Sequence, residues 1–212
     1  MASAQDSREF VEASRPALEH LFNMFAEQMQ TATEQLEELQ RQGDLVDAEF
    51  LNDLQYSDQA NQFHAQWLHR RQHLGHLQRI MTARPLSWHR PSTAKIDATM
   101  TSIGVIAGAI LQVAKQALSY RWGSKKGALV VTSARSIFSQ SIIEVIWEGR
   151  NHAMHWEDGP GRKPVKDMLA ALEADSGWLL PSGDNHAPLL LDALGWHSAD
   201  VAINDLLELV DR

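Results

Sequence analysis

Glu148–Gly149–Arg150–Asn151–His152–Ala153–Met154–His155–Trp156–Glu157 sets a guanidinium, an amide, two imidazoles and two carboxylates within ten residues. These groups suit phosphodiester chemistry. A histidine with a pKa of ~6.5 exchanges a proton at neutral pH. An arginine can hold a phosphate through two parallel hydrogen bonds and stabilise the charge that develops on it. Together they can cleave RNA without a metal: the 2′-hydroxyl attacks the neighbouring phosphorus while the histidine moves the proton.

The run closes a segment expected to be helical. With Ile137 at zero on a helical wheel, Ser141, Glu144, Glu148, Asn151 and His155 fall within about 40° of one line. Ile142, Ile143, Ile146, Trp147 and Met154 lie opposite. Arg150 and His155 point about 140° apart, because five residues of ideal helix advance about 500°. They can share a cleft only if the helix distorts, which Gly149 would permit, or if the cleft lies between two protomers.

The same Arg/His spacing recurs at Arg15/His20, Arg71/His76 and Arg84/His89, and Arg70/His76 is one residue longer. Pro16 and Pro85 fill the second position in two of these, so Arg71–Gln72–His73–Leu74–Gly75–His76 is the competing site. His69, His73 and His76 are spaced to share a helix side and could hold a metal, but no nearby carboxylate completes a site and none is expected. For an RNA ligand, Arg70, Arg71, His73 and Arg79 are candidate phosphate contacts, although Arg70 falls inside the apolar stripe of its own segment.

An arginine, a polar residue (often Asn) and a histidine after a short gap form a signature that Arg150–Asn151–His152–Ala153–Met154–His155 resembles: that of the HEPN domains. The resemblance covers this motif and the expected architecture, not the whole chain. It implies a metal-independent endoribonuclease needing no cofactor, and a homodimer that pairs Arg and His of two protomers across a twofold axis. Arg150 would bind phosphate, His155 act as general acid or base, and Asn151 orient one of them. Glu144 and Glu148 would tune the histidine. Many HEPN proteins are toxins or defence effectors, so an antitoxin or regulatory protein is a further expected partner. The alternative is a non-catalytic dimeric interaction or RNA-binding protein of the same fold.

Composition narrows the classes further. The chain has 212 residues and 44% hydrophobic content, enough for a packed core. It has no cysteine, which excludes disulfides, thiolate metal sites and a cysteine nucleophile. Walker A, Rossmann-glycine, nucleophile-elbow and His-Glu-x-x-His patterns are absent from the sequence. The N-terminal MASAQDSREF does not read as a secretory signal, and the apolar stretch Ile103 to Leu111 falls short of the ~20 residues that span a bilayer. A cytoplasmic protein with no membrane partner is expected. Charge is segregated: residues 1–60 carry 3 basic and 13 acidic side chains, 61–135 carry 11 and 1, and 136–212 carry 5 and 13. A basic middle third suits an anionic partner, or basic helices packed beside acidic ones.

The expected fold is all-α: a bundle of four to five main helices over residues 1–175, with a C-terminal loop and helix, 176–212, packed on the same domain. Periodicity predicts a helix over Glu9 to Arg41, kinked or restarted at Pro16, and a helical region from Asp47 to Ala83. A helix capped by Ser92 or Thr93 runs to Tyr120, and its apolar character nearly all round predicts burial on every side. Gly104 and Gly108 read as close-packing positions. Trp122 to Gly127 reads as a turn and Leu129 to Val131 as a short strand without an evident partner. A helix opening at Ser133 or Ser136 carries the motif and stops at Asp158–Gly159–Pro160–Gly161. Short helices follow at Pro164–Ala174 and Ala199–Asp211, with a loop from Ser176 to Pro188.

Overall fold

The structure, a computed structural model, describes residues 2–41, 91–131, 135–159, 161–178, 180 and 183–212. The described chain is an all-α bundle. Its elements are α1 (Ala4–Ala13), α2 (Arg15–Arg41), α3 (Pro91–Trp122), α4 (Lys125–Val131), a hairpin of β1 (Ser136–Ile137) and β2 (Gln140–Ser141), α5 (Ile142–His155), a 3₁₀ turn (Trp156–Asp158), α6 (Lys163–Ser176), α7 (Ala187–Ala193) and α8 (Ala199–Asp211). Two compact units emerge, Met1–Gln28 with Thr101–Arg212, and Met29–Met100. The expected helical region at 47–83 lies outside the described residues, as do Arg70, Arg71, His73, Arg79 and the His69/His73/His76 and Arg71/His76 sets.

In the larger unit, the long N-terminal helix is divided at Ser14. Pro16 has no N–H to give to the carbonyl four residues back, so the chain restarts there as α2. Ser3 and Asp6 form a reciprocal cap at the start of α1, each side chain accepting from the other's backbone N–H at 3.0 and 3.1 Å. α1 packs on α8, where Arg8 pairs with Asp211, and Phe10 stacks on Tyr120 of α3 with centroids 5.3 Å apart.

The core gathers on one side of α3: Ile103, Ile110, Leu111, Ala114 and Leu118 are fully buried. The opposite side is open, with Val105 60% exposed, so α3 is not buried all round as its composition suggested. Its apolar residues exceed what its packing consumes. Within its span Ala94–Trp122 an 18-residue window has a mean hydropathy of 1.5, long and apolar enough to cross a membrane by length and composition, and half of that window is buried inside the protein. Gly108 faces Ala153 of α5 and Gly104 faces Asn185; an added Cβ would lie 3.0 Å and 2.8 Å from them, so both glycines are close-packing positions.

Two local expectations are corrected. Residues 129–131 belong to helix α4, because a helix start at Ser124, whose Oγ accepts the Gly127 N–H at 3.1 Å, overrides their β-branched composition. The motif helix begins at Ile142, not at Ser136, and Ser133 lies outside the described residues. Ser136 to Ser141 form the hairpin, and Ser141 caps α5 by accepting the Ile143 N–H at 3.2 Å. Phe138, at the turn with φ 53°, is held edge-on to Trp178, and Asp175 accepts the Ser139 N–H at 2.9 Å. α7 is a helix that periodicity missed, and Leu189, Leu190 and Leu191 on it are buried.

In the smaller unit, Met29, Ala32 and Ile96 are buried, and Thr99 Oγ1 joins α3 to α2 by donating to Gln35 Oε1 at 3.1 Å.

Candidate active site

α5 packs against α4, α6 and α7, and it buries Ile142, Ile143, Val145, Ile146, Gly149 and Ala153. It stays helical through Gly149 to His155. Gly149 therefore does not distort the helix to bring Arg150 and His155 together. It makes room for a neighbour: an added Cβ would lie 2.7 Å from Leu190 Cδ1 of α7 and 3.5 Å from Leu111 Cδ1 of α3.

The polar side of α5 is a connected network. Glu148 is 6% exposed although it falls on the expected polar stripe, because α4 brings a cation to it. Lys125 Nζ donates to Glu148 Oε1 at 2.6 Å and lies 4.0 Å from Glu144. The second Glu148 oxygen accepts from Asn151 Nδ2 at 3.1 Å, and Asn151 Oδ1 accepts from Arg150 at 3.4 Å. Arg150 Nε donates to Gln112 Oε1 on α3. One turn further along α3, the Lys115 ammonium lies 5.2 Å from the centre of the Trp147 ring. Arg150 and Asn151 are thus brought together and half-buried, and Glu148 braces Asn151 rather than the histidine.

His155 has a different setting. It is exposed at the end of α5, and its Nδ1 lies 2.9 Å from Asp158 Oδ2 in the 3₁₀ turn. A proton on Nδ1 would serve that carboxylate, and the His155 side chain is 62% exposed. Arg150 and His155 hydrogen-bond to separate partners, as expected for a regular helix that turns them about 140° apart. Met154, expected on the apolar side, is 53% exposed beside it.

His152 is a core residue. It is 8% exposed and stacks on His186 with ring centroids 5.1 Å apart and planes 9° from parallel. Its Nε2 accepts the His186 N–H at 3.1 Å, which requires the neutral ring. Burial, reinforced by His186 and opposed by a hydrogen bond to the Asp184 backbone, brings its pKa down to about 4.

The sequence reading missed Gln112, Lys115, Lys125 and Asp158. The first three arrive from other helices and carry no local signal. Asp158 lay in view three residues after His155, but only as part of a helix stop. Among the described residues, no group of three or more His, Asp or Glu side chains is placed to hold a metal ion. No family model matches the chain, and no curated protein or solved structure matches it either.

Proposed function

We propose that the chain is a metal-independent endoribonuclease of HEPN type that acts as a homodimer. The observation that carries the reading is the division of labour on α5: Arg150 is half-buried and braced by Gln112 and Asn151, while His155 stands exposed against Asp158. Since an unbroken helix separates the two, the reading places Arg150 of one protomer beside His155 of its partner. RNA would lie between them. The 2′-oxygen of the substrate attacks phosphorus, and the bond from phosphorus to the 5′-oxygen breaks. One histidine accepts the 2′-hydroxyl proton and a protonated group returns one to the leaving oxygen, giving a 2′,3′-cyclic phosphate and a 5′-hydroxyl. Arg150 stabilises the charge gathering on the phosphate oxygens. The family resemblance extends this to a cytoplasmic toxin or defence effector restrained by a regulatory protein.

The test is incubation of the protein with mixed cellular RNA in excess EDTA, beside His155→Ala. The reading expects cleavage by the wild type alone, with cyclic phosphate ends. Equal products from both proteins, or none from either, would reject it. A second reading, a non-catalytic dimeric interaction protein, is favoured by the exposed Val105 and Met154 and by the closed network around Glu148. It expects a dimer that binds RNA or a protein and leaves RNA intact.

A further inference from the structure

We propose that Lys115 and Arg150, supported by Trp147 and Gln112, form a phosphate-binding subsite for single-stranded RNA on the seam between α3 and α5. This inference deepens the ribonuclease reading, but it stands on residues other than His155.

Four side chains build the site as two facing pairs. Gln112 and Lys115 are three residues apart on α3, and Trp147 and Arg150 are three apart on α5, so each pair occupies one face of its helix. Gln112 Oε1 takes the Arg150 Nε hydrogen bond, which fixes the guanidinium plane. The Trp147 ring carries the Lys115 ammonium at 5.2 Å. Both cations are half-buried, near enough to the surface to meet a ligand yet partly stripped of water.

Charge around them is unbalanced. Both carboxylates of the seam, Glu144 and Glu148, point to Lys125, and the remaining Glu148 oxygen serves Asn151. Among the described residues, neither Lys115 nor Arg150 has a carboxylate ion pair. Burial first, and then the charge of Arg150, hold the Lys115 amine below its ordinary range, with Glu148 offsetting this only in part. Two like charges in a partly desolvated seam, neither paired to a carboxylate among the described residues, are stabilised by an anion that touches both. With Nε engaged by Gln112 and Nη1 by Asn151, the other terminal nitrogen of Arg150 supplies donors, and Lys115 adds a rotatable ammonium from the opposite helix. A tetrahedral phosphate presents oxygens to both at once. RNA and free inorganic phosphate share that chemistry, and the measurement separates them.

The experiment is fluorescence anisotropy of a labelled, single-stranded 2′-O-methyl oligoribonucleotide, which offers phosphates but no attacking 2′-hydroxyl. Lys115→Met should weaken binding about tenfold and lower the dependence on salt by about 0.7 in the log–log slope, the share of one phosphate contact on a single strand. Lys115→Arg should retain most of the affinity, and circular dichroism should show both variants folded. Inorganic phosphate should displace the oligonucleotide only at millimolar concentration. Displacement at concentrations matching the oligonucleotide would overturn RNA as the ligand. Wild-type affinity in Lys115→Met, or no binding by the wild type, would overturn the subsite itself. Failure here is distinguishable from failure of the catalytic reading: binding without cleavage in the wild type rejects catalysis alone. Cleavage combined with unaltered binding by Lys115→Met rejects the subsite alone.

Discussion

His152 and His155 stand three residues apart on the same helix, and their surroundings give them opposite chemistry. His152 is enclosed by His186 and the backbone at Asp184, and its neutral ring accepts a hydrogen bond that protonation would destroy. His155 faces solvent beside Asp158, where a carboxylate can steady the ring while its other nitrogen meets a ligand. Side-chain type alone would have allowed either to be the acid–base group. Burial takes His152 out of that role, because an imidazolium costs far more inside a core than beside a solvated carboxylate. The same contrast divides the helix along its length: one face is cemented to α7, and the other carries charged groups held in a network.

Several substitutions would break or sharpen that contrast. The largest loss of stability is expected where the buried face meets α7. Leu190→Ala removes a fully buried side chain seated against Gly149, and should cost about 3–5 kcal/mol in urea unfolding. His152 should make the fold sensitive to acid. Its pKa is lowered in the folded state, from 6.5 to about 4, so the unfolded chain binds the proton first. Its contribution is therefore complete above the unfolded value and is lost as pH falls through the window between 6.5 and about 4, by about 3 kcal/mol. In His152→Gln, unfolding should lose that component of its pH dependence. Glu148→Ala should cost less, about 2 kcal/mol, since it strips the partner from Lys125 at a site that water can partly reach. Asp158→Asn should change stability by under about 0.5 kcal/mol, because the pair is exposed, while slowing cleavage several-fold by loosening the His155 ring. A large stability loss in Asp158→Asn would erase the contrast between the two histidines.

The strongly patterned parts of the fold were legible in the sequence. The helix expected at Ala199–Asp211 is α8, with the same bounds, and Ser198 Oγ accepts the Val201 N–H at 3.4 Å at its start. α7 was not legible, because Ala187–Ala193 is short and carries a Pro and three consecutive Leu without a polar face to set a period. The hairpin was equally silent, since two-residue strands leave no alternation to read. In the site, Arg150, Asn151 and His155 were visible as neighbours in the chain. Gln112, Lys115 and Lys125 became visible only when tertiary packing carried α3 and α4 to α5. The wheel placed Glu148 on the polar stripe, but it could not foresee that Lys125 would let a carboxylate be buried there.

The central claim is that Arg150 and His155 act from different protomers, and subunit mixing tests it most directly. Arg150→Ala and His155→Ala should each be inactive alone. When the two variants are co-expressed and purified together, the mixed dimers contain one intact Arg/His pair, so activity should return to about a quarter of the wild-type value for random pairing in a twofold dimer. No recovery in verified mixed dimers, with the wild type cleaving normally, would contradict the shared site and place both residues in one chain's own cleft.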